Sequence, residues 1–167
     1  DVRTGKPYPA YKPFLSAHRH AQADGICLRQ AERGRQVEWL GQIPAHWVEL
    51  ELKFALAEPI TDGPHETPEF LDEGIPFLSA EAVKDDRLDF ERKRGFISRE
   101  DHLRFSRKYS PKRGDVYMVK SGATTGNVAR VETDEVFDIW SPLAAMRPDD
   151  SRVSTDFLFY FLKSEIC

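Results

Sequence analysis

The chain has 167 residues, with 24 basic and 28 acidic side chains, a formal net charge of −4, 40% hydrophobic and 11% aromatic residues. That length suits one domain able to bury roughly two thirds of its unfolded surface, and no run approaches the about 20 apolar residues that a membrane helix needs. Two cysteines, Cys27 and Cys167, make neither a disulfide framework nor a zinc site, and the N-terminus lacks the features of a secretory signal, so a soluble protein of the reducing cytoplasm is expected.

Taken in chain order, residues 1 to 36 stand apart. They carry Pro7, Pro9, Pro13 and a His18-Arg-His20 patch, have no sustained period beyond weak helical potential from Ala21 to Arg33, and are expected to be partly disordered or inserted. Trp39, Leu40, Ile43 and Trp47 around Gly41 and Pro44 read as a hydrophobic clasp over a core edge. Val48 to Phe54 alternates apolar and charged residues, as a strand does. Thr61 to Pro68 contains Asp62-Gly63-Pro64, which continues neither a ladder nor a helix. This loop sets Thr61, Asp62, His65 and Thr67 side by side, either as donors and acceptors for base edges and phosphates or as a polar turn closed by Asp62.

Ile75 to Ser79 reads as a buried strand, with Ser79 capping a brief helix from Ala80 to Lys84. Arg87 to Phe90 and Gly95 to Ile97 read as extended pieces bracketing Arg92-Lys93-Arg94. Ser98 is the N-cap of a helix reaching toward Tyr109, with Leu103 and Phe105 as an imperfect apolar face. Asp115 to Lys120 is the clearest strand. Ser121 to Gly126 joins it to Asn127–Val131 as a hairpin-like loop whose glycines permit positive φ. No Gly-Lys-Ser/Thr ends that loop and no helix follows, which removes a nucleotide-binding P-loop; it serves either as a DNA contact or as a structural turn. Phe137 to Met146 is a buried strand pair or one bent strand. Ser154 caps a final helix on which Phe157, Leu158, Phe161 and Leu162 form a stripe facing the sheet. These elements predict an α/β fold of α+β type, a single domain with a curved mixed or antiparallel sheet and flanking helices.

Charge is unevenly spread. From Val48 to Ile75 eight acids face the single base Lys53, whereas from Lys84 to Arg113 eleven bases face six acids. A basic middle on an acidic protein is either an electrostatic footprint for phosphates or a solvated face.

Four phrases occur in fixed order: Val37-Glu-Trp-Leu-Gly-Gln-Ile-Pro-Ala-His-Trp47, Ile60-Thr-Asp-Gly-Pro-His65, Gly74-Ile-Pro-Phe-Leu-Ser79, and Lys120-Ser-Gly-Ala-Thr-Thr-Gly126 leading into Val128-Ala-Arg-Val131. Together they resemble the target recognition domain of the specificity subunits of type I restriction-modification enzymes, over residues 37 to 167. In such proteins the segment after the tryptophan phrase often passes into a short helix, here Leu52 to Ala57. The resemblance implies a non-catalytic module without metal or cofactor that reads one part of a bipartite site on double-stranded DNA. Separate methyltransferase and restriction subunits would perform methylation and cleavage. On this reading Lys84, Arg92, Lys93, Lys120 and Arg130 would anchor phosphates, and Thr61, Asp62, His65, Thr67, Ser121, Thr124, Thr125 and Asn127 would approach base edges.

Two departures accompany the resemblance. A phrase like Tyr8-Pro-Ala-Tyr-Lys12 commonly runs almost directly into the tryptophan phrase, but here residues 13 to 36 intervene. One copy of the motifs is present, ending where a long helix that binds the methyltransferase subunits would begin; the chain is expected to be a fragment, a truncated product or a stand-alone half. Two other classes remain: a protein-binding module using Trp39, Trp47 and a Phe-rich face, and a magnesium-dependent nuclease built on Glu51-Leu52-Lys53.

Overall fold

The structure is a computed structural model that describes residues 35–37, 41–44, 47 and 49–164. Two units divide at residue 50. In the first, β1 (Arg35–Val37) pairs antiparallel with β2 (Gly41–Ile43), and Gly41 takes a φ of 80° where the second strand begins. Residues 1 to 34, together with Trp39 and Leu40 of the expected clasp, lie outside the described residues.

The second unit opens not with the strand of its alternating pattern but with a turn, nearer the short helix that the resemblance offers at Leu52 to Ala57. Leu52–Phe54 forms a 3-10 turn, and Leu56 then bridges to Pro148. Leu52 and Leu56, four residues apart, both reach the same apolar cluster, so the helical spacing of these two leucines prevails over the period-2 signal. There follow β3 (Thr61–Asp62), β4 (Ile75–Leu78), a 3-10 turn at Ala80–Ala82, β5 (Val83–Lys84) and β6 (Arg87–Leu88). After a 3-10 turn at Phe90–Arg92 come β7 (Gly95–Ile97), α1 (Arg99–Phe105), β8 (Val116–Val119), β9 (Val128–Arg130), β10 (Asp138–Ile139), β11 (Leu143–Met146) and α2 (Thr155–Leu162).

The helix expected from Ala80 to Lys84 shrinks to one turn because Val83 and Lys84 enter a hairpin, with Lys84 opposite Arg87. Its two-residue loop holds Asp85 and Asp86 at φ 49° and 71°, a left-handed conformation that aspartate tolerates better than most residues. Ser98 caps α1 as expected: its Oγ accepts from the Asp101 N–H at 3.0 Å and donates to the Asp101 carboxylate at 3.1 Å. The helix stops at Phe105, short of Tyr109.

The strands divide between two main sheets. A three-stranded mixed sheet has the order β10-β4-β7, and a four-stranded antiparallel sheet has the order β3-β11-β8-β9. The segment Phe137 to Met146 therefore contributes one strand to each, crossing through the turn at Trp140–Pro142. Alternation along the strands organises the layers. Tyr117, Val119, Ala129, Leu143 and Ala145 meet Leu78 and Ile139 of the mixed sheet, while Val116, Val128 and Met146 pack against α2. On the far face of the mixed sheet, Phe77 and Ile97 pack against Phe105 of α1. The α+β class with flanking helices is as predicted.

The stripe on α2 is rotated relative to the expected one. Leu158, Phe159 and Leu162 are buried, whereas Phe157 is 46% exposed and stacks on Phe161 with centroids 6.5 Å apart. Ser154 fixes the helix start, its Oγ accepting from the Phe157 N–H at 3.2 Å. Arg130 of β9 lies over the Phe159 ring at 4.6 Å, which holds Phe159 on the sheet side.

One buried polar network links these layers. The Asp115 carboxylate is 1% exposed and accepts from Arg147 Nε and Nη2, each at 2.7 Å, from the Lys112 N–H at 2.9 Å and from the Tyr109 hydroxyl at 2.5 Å. The Tyr109 hydroxyl also lies 3.0 Å from that of Tyr117. Burial pushes both phenols well above their ordinary range, reinforced by the nearby Asp115 charge, so both stay neutral. Arg147 further donates to the Ser110 carbonyl at 2.9 Å and pairs with Glu58. Replacing Arg147 by Met should cost about 3 to 5 kcal/mol, because a buried carboxylate loses its partner. Urea denaturation of the variant, with a midpoint close to that of the parent, would show that the pair does not hold the sheet ends.

Candidate nucleic-acid interface

The four-stranded sheet delivers two polar loops to one end. Thr61 and Tyr117 both face Ala145, and Asp62 and Met118 both face Ala144, so β3 and β8 run in the same direction on either side of β11. Both strands leave at the Leu143 end, into the Thr61–Thr67 and Ser121–Asn127 loops. The first loop is seated on β10 by Gly63. A Cβ there would sit 1.8 Å from the Ile139 carbonyl oxygen, so this position requires the bare backbone of glycine. Beyond it His65, Glu66 and Thr67 are exposed, and Pro68 is buried; Thr61 and Asp62, within the strand, are half-buried.

The second loop has a closed neck and an open tip. The Gly126 N–H donates to the Val119 carbonyl at 2.8 Å, the Val119 N–H to the Asn127 carbonyl at 2.9 Å, and the Lys120 N–H to the Pro142 carbonyl at 2.9 Å. Inside, the Thr125 hydroxyl donates to the Gly122 carbonyl at 2.7 Å and the Asn127 N–H to the Thr124 carbonyl at 3.0 Å. Gly122 and Gly126 take φ of 105° and 92°, and a side chain at either would meet no atom within 4 Å of its Cβ, so backbone conformation and not crowding calls for glycine here. Residues 120 to 127 are all exposed. The side chains of Ser121, Thr124 and Asn127 make no hydrogen bond among the described residues, leaving their polar groups available to a ligand.

An ion cluster joins the two loops. Asp62 Oδ1 accepts from Lys108 Nζ and Oδ2 from Lys120 Nζ, while His65 Nε2 lies 3.1 Å from Oδ2. Lys108 also reaches the Gly63 carbonyl at 3.4 Å. Burial opposes the charge on Asp62, but the hydrogen bonds and attraction of the two lysines outweigh it and hold the carboxyl at about 2. Four residues on, Glu66 pairs with Arg104 at 2.5 Å, which also holds Asp101 at 2.5 Å. Asp62, Gly63, Arg104 and Lys108 border a cleft of about 200 Å³. Its inner wall includes Asp138, 2% exposed, whose carboxylate meets His102 Nδ1 at 2.6 Å and so ties β10 to α1. Burial pushes the Asp138 carboxyl above its ordinary value, against the lowering by His102.

Arg104 and Lys108 were not singled out in the sequence. Their signal was the four-residue spacing within the basic middle, although the helix ends at Phe105 and Lys108 falls in the turn after it. Lys84, Arg92 and Lys93 lie on the β5–β6 hairpin and the turn after it. Lys84 is exposed and has no ion-pair partner among the described residues, Arg92 holds Asp89 at 3.2 Å, and Lys93 donates to the Phe90 carbonyl at 3.3 Å beside the Phe96 ring. Arg130 pairs with Asp156 at 2.6 Å and Glu132 at 3.4 Å, linking β9 to α2. Glu51 and Lys53, the minimal nuclease string, pair with each other at 2.6 Å on the exposed 3-10 turn. Among the described residues no three His, Cys, Asp or Glu side chains converge as a metal site would, and no helix is long and apolar enough to cross a membrane.

The depressed Asp62 carboxyl has a definite pH consequence. Its contribution to stability is fully present above the ordinary value of 3.8 and is lost as pH falls through about 2. In a Lys108→Ala/Lys120→Ala variant its titration should move up to or beyond 3.8, since burial remains while the attraction is gone. Carboxyl-carbon NMR titration reads this directly; an unmoved midpoint would sink the assignment of the two lysines as its cause.

The chain is similar to a chain of a type I R-M system, from a structure concerned with complex assembly and conformational transition. The two share 23% identity and a TM-score of 0.51, over 92% of this chain and 36% of that one. It is also similar to the HsdS subunit from Thermoanaerobacter tengcongensis, with 21% identity and a TM-score of 0.48 over the same shares. No family model and no curated protein matches the sequence. The chain spans about a third of the length of these solved chains. The first likeness shows the fold: residues of this chain adopt the architecture of one segment of a type I R-M system chain.

Proposed function

We propose that this chain is a sequence-reading DNA-binding module of a type I restriction-modification system, carrying no catalysis itself. It reads one part of a bipartite target and directs separate methyltransferase and restriction subunits. The observation that carries this reading is the delivery of two exposed, hydrogen-bond-rich loops to the same end of one sheet, side by side with cations from both the α1 segment and the β8 exit. The fold shared with a type I R-M system chain supports it.

The roles divide by chemistry. His65, Thr67, Ser121, Thr124 and Asn127 present exposed polar groups suited to base edges, and Thr125 retains its hydroxyl lone pairs. Thr61 and Asp62 act from the strand, at the root of the first loop. Lys84, Arg92, Lys93, Lys120 and, at the opposite end of the sheet and only by exchanging its Asp156 contact, Arg130 contact phosphates, which position the duplex without carrying sequence information. A tight hairpin with two left-handed glycines lets backbone N–H groups approach the DNA as closely as side chains do.

Selection from a pool of random duplexes at two salt concentrations tests this reading. Enrichment of a short motif, roughly 3 to 5 base pairs, with affinity falling steeply in salt is the expected result. His65→Ala or Thr125→Ala should relax preference at particular base positions. Lys84→Ala should instead weaken binding on every sequence and reduce the salt slope by about 1. Equal losses on selected and random duplexes for the two loop variants would remove them as readers.

A further inference from the structure

The Thr61–Thr67 loop carries the two acids that neutralise the cations beneath it. Asp62 takes both Lys108 and Lys120, one on each carboxylate oxygen, and Glu66 takes Nη1 of Arg104, whose Nη2 stays with Asp101 of α1. Those three bases come from outside the loop, 38 to 58 residues away in sequence for the partners of Glu66 and Asp62, and converge only through the fold. Without the loop's acids they would form a three-cation platform at the sheet end where both polar loops emerge, with Arg104 and Lys108 bordering the cleft. Lys108, Lys120 and Arg104 keep 50%, 38% and 51% of their side-chain surface exposed, so an anion can approach them from solvent.

We propose that Arg104, Lys108 and Lys120 form a seat for consecutive backbone phosphates of DNA, and that the Asp62 and Glu66 carboxylates occupy that seat until the duplex displaces them. This rests on the DNA-binding reading above and makes the loop a specificity device. A carboxylate held between two ammonium groups presents them with the same charge-assisted acceptors that a phosphate would. Binding to any polyanion must then exchange carboxylate contacts for phosphate contacts, a near-balanced substitution with little net gain. Only a duplex whose bases also satisfy the displaced loop recovers additional free energy, so non-specific affinity is suppressed more than specific affinity. Asp62 remains ionised throughout the ordinary pH range, since its carboxyl titrates at about 2; acid does not lift the cover, and a competing anion must.

The test compares Asp62→Asn/Glu66→Gln with the parent chain on two probes, a random-sequence DNA duplex and immobilised heparin. Asp72→Asn/Glu73→Gln, which removes two exposed acids without ion-pair partners among the described residues, serves as the charge-matched control. Uncovering Lys108 and Lys120 fully and Arg104 in part should steepen the log–log salt slope on random duplex by about 2 and raise affinity at moderate salt about tenfold. Retention on heparin should rise beyond that of the control. Adding Arg104→Ala, Lys108→Ala and Lys120→Ala should abolish both gains. Glu66→Gln alone, a change in an exposed pair that leaves Asp62 in place, uncovers Nη1 of Arg104 while Asp101 keeps Nη2, and should give a slope increase of up to about 1; it tests the idea even if the double variant is unstable. Gains on heparin with no binding of any duplex would uphold the covered cationic seat and overturn the DNA reading. No gain over the control on either probe, or a gain that survives loss of Arg104, Lys108 and Lys120, would overturn the covered seat.

Discussion

The buried pair between Asp115 and Arg147 is the constraint on which the sheet end depends. Asp115 precedes β8 and Arg147 follows β11, so their bidentate contact fixes those two strands against each other at the end opposite the polar loops. A strand pair with alternating faces cannot shift by one residue without exchanging its two side-chain sets. Here a shift of β8 would turn Tyr117 and Val119 to the α2 side, away from Leu143 and Ala145, and break the carboxylate–guanidinium fork. The register so held places Lys120 beside Pro142 and Asp62 beside Ala144, which is what brings the two loops together. Polar specificity at one end of the sheet thus determines geometry at the other.

On the proposed DNA-binding reading, an acidic chain has to present itself to a polyanion. Much of the basic middle is already matched: Arg94 by Glu81, Arg92 by Asp89, Arg113 by Asp134, Arg104 by Glu66 and Asp101, Lys108 by Asp62. Exposed pairs of this kind contribute little to stability. Their chief effect is to reduce the field that a distant phosphate would feel, leaving binding to groups that come within contact range. Phosphate affinity that depends on local exchange of partners favours a reader over a general polycation, because the exchange can be coupled to loop placement.

Much of the fold was legible because its signals were local. Ser98 and Ser154 capped the two helices, Val116–Val119 showed its β-rich run, and Gly122 and Gly126 marked a turn that does need positive φ. Other signals lost to tertiary packing. Val48 to Phe54 alternated like a strand, yet the core took Leu52 and Leu56 at helical spacing. The α2 stripe shifted to Leu158, Phe159 and Leu162 because Arg130 and the β9 surface meet Phe159, a contact that no helical pattern records. In the candidate interface the two loops were readable as polar and exposed, but Asp62 gave no sign of its partners. Lys108 and Lys120 lie 46 and 58 residues beyond it, and charge counting alone cannot pair residues across such separations.

Gly63 shows how the legible and illegible parts meet. As a member of an Asp-Gly-Pro turn it reads as a loop residue. Its function in the fold is different: it allows the backbone to press on the Ile139 carbonyl, which lies on β10 beside the buried Asp138. Asp138 is in turn tied to His102 of α1, the helical segment that leads to Lys108. A single close backbone approach therefore sets the loop, the mixed sheet and the cation platform relative to one another. Any ligand that shifts the loop backbone must pivot it beyond Gly63, at the exposed residues His65 to Thr67, and leave the root in place. Asp62, whose backbone belongs to β3, can then exchange its lysines only by turning its side chain, whereas Glu66 can leave Arg104 with the moving segment. The portion free to move is the portion that carries candidate readers, and the acid that holds two cations stays on the sheet.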